Sequence, residues 1–132
     1  MKLIDRIFRR RKKIERGKIV VEVSTALLDE YQKFALSTAD DCAKAPLYLA
    51  VGLCEEAGEV AGKVKKVVRD HHGFFTLDQE RMVAMELGDV LWYLANMAHR
   101  IGFSLSEIAE LNANKIKQRI EHNTLHGEGD ER

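Results

Sequence analysis

An all-α fold is what this sequence predicts, and three observations predict it. The chain of 132 residues holds a single proline, its apolar residues recur at helical three-and-four spacing over most of its length, and two capping boxes mark helix starts inside it. With 45% hydrophobic residues it suffices for one domain with its own core. Ile19 to Val23 is a short β-branched run, too brief and isolated to build a sheet.

The elements follow in order. Residues 1–18 set Leu3, Ile4, Ile7 and Phe8 at helical spacing among Arg9, Arg10, Arg11, Lys12 and Lys13. That basic leader, bounded at residues 1–23, suits RNA, DNA or anionic lipid. It equally suits packing on its own acidic body or a neighbouring subunit, which is the reading we favour, because no aromatics interleave as a base-stacking platform requires. The domain proper covers residues 24–132. From Ser24, a suitable N-cap, residues Ala26, Leu27, Tyr31, Phe34, Ala35 and Thr38 form the face of a first core helix. Pro46, suited to a first turn, opens a second helix reaching about Asp70. His71-His72-Gly73 interrupts the pattern, and Thr76-Leu77-Asp78-Gln79 is a capping box that opens a third helix to about Ile101. Gly102 ends it. Ser104-Leu105-Ser106-Glu107 is the second capping box, and its helix runs to about Glu121 with Ile108, Leu111 and Ile116 toward the core. Beyond His122 the periodicity fails, leaving a tail with Gly127, Gly129 and Arg132 that either frays or closes over a ligand. Four helices of this kind make a bundle-like core.

Composition excludes several classes. No apolar run reaches the roughly 18 residues of a membrane span, and residues 1–23 lack the apolar stretch of a secretory signal, so a cytoplasmic location is expected. Cys42 and Cys54 stand apart, without the spacing of a disulfide framework or a structural zinc site, and read as buried thiols. The formal net charge is zero, yet residues 1–18 carry nine Lys or Arg against Asp5 and Glu15, whereas the rest carries twelve against nineteen acids. An acidic body bears a basic leader.

The chemistry concentrates in one pattern written twice, Glu56-Ala57-Gly58-Glu59-Val60 and Glu86-Leu87-Gly88-Asp89-Val90, thirty residues apart. On a helix turning about 100° per residue, Glu56, Glu59, Lys63, Lys66 and Asp70 share a stripe beside Val60, Val64 and Val67. Glu86, Asp89, Tyr93, Asn96 and Arg100 do the same beside Val90, Leu94, Met97 and Ile101. Two helices can thus seat four carboxylates at the edge of one core. Carboxylates crowded together repel one another unless a cation neutralises them, and an all-oxygen donor set favours magnesium or manganese. The alternative is that each pair is a solvated helix face. Gly58 and Gly88 each cost a helix about 1 kcal/mol relative to alanine, which close approach of a backbone or ligand would explain. Asn112, Lys115 and Arg119 lie three and four apart on the fourth helix, either offering donors to phosphate or forming a solvated basic face. Neither acidic helix carries the Glu-x-x-His of a di-iron bundle, and His71, His72 and His99 read as turn or structural residues.

Taken together, these residues resemble the MazG-like nucleotide pyrophosphohydrolases of the all-α nucleoside-triphosphate pyrophosphatase superfamily, over about residues 28–132. Glu55, Glu56 and Glu59 match the family's Glu-Glu-x-x-Glu element, and Glu86 with Asp89 its Glu-x-x-Asp element. Asn112, Lys115 and Arg119 match Asn-x-x-Lys-x-x-x-Arg, and the Gly127-x-Gly129-Asp130-x-Arg132 ending is similar to a tail in one branch. The resemblance implies magnesium ligation by Glu56, Glu59, Glu86 and Asp89, with manganese able to substitute, and a water-orienting or supporting role for Glu55. It implies phosphate binding by Asn112, Lys115 and Arg119, and hydrolysis of a nucleoside triphosphate, a deoxynucleotide above all, to the monophosphate and pyrophosphate in nucleotide-pool control or house-cleaning. It also implies a homo-oligomer, a dimer or dimer of dimers, that completes its pocket across the interface. Lys63, Lys66 and Arg132 are expected on the outer phosphates. Tyr93 and Asn96 continue the third-helix stripe toward the nucleoside beside Trp92, the first to flank the base or sugar and the second to hydrogen-bond it, with packing of the bundle as the alternative for both. A phosphoribosyl-ATP pyrophosphohydrolase and a non-catalytic nucleotide sensor on the same scaffold are the competing readings.

Overall fold

The computed structural model describes residues 25–124 and residue 126. Among the described residues there are four α-helices and no strand: α1 (Thr25–Ser37), α2 (Pro46–His71), α3 (Leu77–Arg100) and α4 (Leu105–Glu121), with a 3-10 turn at Asp41–Lys44 between α1 and α2. The basic leader, the Ser24 cap and Arg132 lie outside the described residues.

Local chemistry sets the boundaries. Thr76 and Ser104 each accept from the backbone N–H three residues on, and Gln79 and Glu107 reach back to accept from the N-cap N–H, so both capping boxes form as the sequence predicts. Pro46 occupies the first turn of α2, where its missing N–H leaves no bond unmade. The 3-10 turn was not anticipated from periodicity; Asp40 caps it by accepting from the N–H groups of Cys42 and Ala43. Gly102, at φ 85°, takes the left-handed turn that lets α4 fold back after α3.

The 26-residue α2 and the 24-residue α3 form one long antiparallel hairpin, and the 13-residue α1 spans only about half its length. α1 packs on α3 and α4, while α2 packs on α3 and the 3-10 turn. Ala35, Ala95, Ala98 and Leu105 are buried together, with Leu28, Tyr31, Leu91, Trp92, Leu94 and Ile108 packed around them. Gln32 pins this junction: its Nε2 donates to the carbonyls of Ala95 (3.1 Å) and Phe103 (3.2 Å), and its Oε1 accepts from the Leu105 N–H (3.0 Å). Asp29 accepts from both the N–H and the hydroxyl of Ser106. A buried amide with every partner present fixes how α1 meets the α3–α4 turn.

Several expected core positions face outward instead. Leu27 and Phe34 are each 64% exposed, and Leu111 and Ile116 are also exposed, because short α1 and α4 meet α3 along only one stripe each. Thr38 lies just past α1 and is exposed, its hydroxyl accepting from Trp92 Nε1–H. Both cysteines are exposed thiols rather than buried ones. A Cβ added at Gly58 or Gly88 meets nothing within 4 Å among the described residues, so no close approach among them explains either glycine. The helices keep their expected phase, and the core formed by the described residues uses only part of each apolar face.

Candidate metal and nucleotide site

The antiparallel register of α2 and α3 builds the site. Gly52 lies against Tyr93, and Lys63 reaches Glu86, so Glu56 falls beside Asp89 in between. One carboxylate oxygen each from Glu56, Glu86 and Asp89 lie within 4.8 Å of one another. Glu56 and Glu86 are half-buried and Asp89 is exposed. Glu56 holds its proton more tightly than an ordinary carboxyl, first because burial disfavours its charge and then because Asp89, Glu59, Glu86 and Glu55 surround it with negative charge.

Glu59 stands outside that trio and Glu55 is exposed. Lys63 Nζ lies 2.6 Å from Glu86 Oε1 and 3.8 Å from Glu59 Oε2, tying the two helices together. Its affinity for a proton is raised by the hydrogen bond to Glu86. Three converging carboxylates with only oxygen donors, in a field strong enough to shift Glu56 and to hold an ammonium, fit a hard divalent cation such as magnesium or manganese.

Aromatic side chains adjoin the acidic group. Tyr93 packs over Gly52, where a Cβ would overlap its ring. Its ring centroid is 5.0 Å from that of Trp92, edge-on, and 6.2 Å from that of Tyr48. The Tyr93 hydroxyl is pushed up to about 12, chiefly by its hydrogen bond with Tyr48, then by burial, with smaller contributions from Glu56 and Glu55. Tyr31 of α1 is likewise raised, by burial first and then by Asp89. Tyr31, Tyr48 and Gly52 were missed as site neighbours. A signal existed for two of them, since Tyr48, Gly52 and Glu56 are four apart on one α2 face.

Asn96 lies on the core side of α3. Only 2% of it is exposed, and its Nδ2 donates to the Trp92 carbonyl at 2.9 Å. One turn beyond Tyr93, the α3 stripe has passed into the core, as the packing alternative for Asn96 has it. Lys66 lies exposed one turn past Lys63. Asn112 and Lys115 are exposed on α4, with Arg119 half-buried. No described hydrogen bond or ion pair brings Lys66 or Asn112 to the acidic trio.

Residues 44–124 match the MazG nucleotide pyrophosphohydrolase domain, a span that holds both acidic pairs and the α4 donors. The chain is 41% identical over 85 residues, 64% of its length, to the Gene 37 protein of Mycobacterium phage L5, of which the match covers 75%. No solved structure matches the chain. No helix among the described residues is long and apolar enough to cross a membrane.

Proposed function

The chain belongs to the MazG nucleotide pyrophosphohydrolase family, and from that premise we propose that it hydrolyses nucleoside triphosphates, deoxynucleotides included, to the monophosphate and pyrophosphate. The observation that carries the reading is the convergence of Glu56, Glu86 and Asp89 from two helices onto one point. In this reading those three, with Glu59 one turn from Glu56, hold magnesium, or manganese in its place. The bound metal would supply neutralisation of charge developing on the phosphoryl oxygens and a more acidic water for in-line attack.

The remaining roles fall to the chain itself. Glu55 orients the attacking water. Lys63 and Lys66 from α2, with Asn112, Lys115 and Arg119 from α4 and Arg132 from the tail, hold phosphate oxygens, a part common to every nucleotide. Tyr93, backed by Tyr48 and Trp92, flanks base or sugar, and Asn96 supports it from beneath by fixing the Trp92 turn. A pocket with no charged group aimed at the base accepts more than one nucleoside.

The same reading includes assembly as a dimer or dimer of dimers in the cytoplasm, serving nucleotide-pool control. Its support is the apolar surface: among the described residues Phe34, Leu47, Tyr48, Val51, Phe74 and Leu77 are all exposed, side chains that an interface between copies would cover. The test is a panel of canonical and damaged nucleoside triphosphates with magnesium, scored for pyrophosphate and monophosphate together. Release of both supports the reading. Nucleotide binding without turnover on any member of the panel would make the protein a sensor instead.

A further inference from the structure

Lys63 stands apart from the other basic side chains of the site, because it is already committed to a carboxylate. Its ammonium crosses from α2 to α3 and meets Glu86 at 2.6 Å, with 27% of the lysine side chain and 15% of the glutamate side chain exposed. Glu86 is at the same time one of the three carboxylates whose oxygens converge within 4.8 Å. Glu59, which completes the acidic set on α2, is the second carboxylate beside the ammonium, at 3.8 Å. One positive charge therefore rests against two of the four carboxylates that a divalent cation would use. Two cations held against the same carboxylate repel each other, and in a partly enclosed site that repulsion is weakly screened.

The geometry points to Lys63 as the internal counter-ion of the metal-free site, which leaves Glu86 when a divalent cation binds and is released by that event toward the anionic phosphates. This rests on the metal-site reading above. It makes one side chain do two things in sequence. Without metal it offsets the mutual repulsion of Glu59, Glu86 and their neighbours and holds α2 to α3; with metal the same ammonium is free for a ligand of opposite charge. Binding of metal and availability of a phosphate-binding cation are thereby coupled through Glu86. Lys65, exposed and outside the acidic stripe, carries the same charge without the contact and is the natural control.

Calorimetric titration of manganese into the nucleotide-free protein tests this, with wild type, Lys63→Met and Lys65→Met side by side. Lys63→Met should bind manganese about two- to fivefold more tightly, the range expected when a partly exposed ion pair no longer competes, whereas Lys65→Met should match wild type. Thermal melting supplies a second readout that a merely structural lysine would not give. Metal-free Lys63→Met should melt below wild type, and the gap should close under saturating manganese. If Lys63→Met bound manganese no more tightly than wild type, or if the melting gap persisted unchanged with metal, the lysine would stay on Glu86 and the inference would fall while the metal site stood. If wild type bound no manganese, the metal-site reading itself would fall with it. Should Lys63→Met not fold, Lys63→Gln carries the same comparison.

Discussion

Gly52→Ala is a substitution whose sign the helix propensity and the packing predict oppositely. Alanine is favoured over glycine inside a helix by about 1 kcal/mol. At Gly52, however, a Cβ would overlap the Tyr93 ring, with Cδ1 at 2.7 Å and two further ring carbons closer still. The ring cannot simply turn aside, because Trp92 meets it edge-on and Tyr48 flanks it. Overpacking of this kind costs about 1–3 kcal/mol, and the tight enclosure argues for the upper half, so the net loss should be about 1–2 kcal/mol once propensity is subtracted. For a domain of this size that lowers the melting temperature by at least about 4 °C. Gly58→Ala and Gly88→Ala, where a Cβ meets nothing, should instead gain up to about 1 kcal/mol each. Circular-dichroism melts of the three variants, in the absence of metal and nucleotide, decide it. Combining Gly52→Ala with Tyr93→Leu should recover part of the loss, as expected of residues in contact. A Gly52→Ala protein as stable as wild type would refute the close packing of α2 on α3 at the site.

Other outcomes follow from the same structure. Glu56 holds its proton more tightly in the folded chain than at its ordinary value of 4.5, so folding favours the protonated form, and the contribution of Glu56 to metal-free stability should fall as pH rises through the carboxyl range. Glu56→Gln should therefore melt above wild type at neutral pH without metal, with the advantage shrinking as pH drops below the ordinary carboxyl range; a constant advantage at every pH would contradict this. Phe34→Asp, at an exposed apolar position, should weaken self-association in sedimentation velocity while leaving helix content intact, and an unchanged assembly would remove Phe34 from the interface. Deleting residues 1–18 should spare turnover, whereas deleting residues 127–132 should raise the Michaelis constant through loss of Arg132; equal constants for full-length and tail-less protein would leave the tail without a role.

How much was legible in the sequence depends on the range of the interaction concerned. Thr76 with Gln79 and Ser104 with Glu107 satisfy one another within three residues, so their capping boxes, and with them two helix starts, could be read directly. Four converging carboxylates were expected because two copies of one pattern sat in the same helical phase, and a short turn forces the two helices antiparallel; Glu56, Glu86 and Asp89 do converge, whereas Glu59 stands outside the trio. Periodicity shows that a helix has an apolar face, but not whether its own chain covers it. That is why Leu27, Phe34, Leu111 and Ile116 were placed in a core that does not reach them. The importance of Gly52 depends on the register that sets Tyr93 across from it, while Gly58 and Gly88, which look equally odd in sequence, face open space. Asn96 shares a stripe with Asp89, yet two turns along α3 the stripe has entered the core, a drift that only the packing reveals. The pairing of Lys63 with Glu86 likewise joins two helices, and one-helix spacing pointed only to Glu59.

The central claim is that four carboxylates from two helices, Glu56, Glu86 and Asp89 with Glu59 beside them, hold the metal on which the proposed pyrophosphohydrolase activity depends. Its most direct test is magnesium-dependent release of pyrophosphate from a deoxynucleoside triphosphate by wild type and Glu86→Gln, with manganese affinity measured on both. Glu86→Gln keeps the shape of the side chain and removes one charged ligand, so manganese binding should weaken at least about tenfold and turnover fall by about two orders of magnitude or more, with the helices still folded. A Glu86→Gln protein that bound manganese and released pyrophosphate as wild type does would contradict the account.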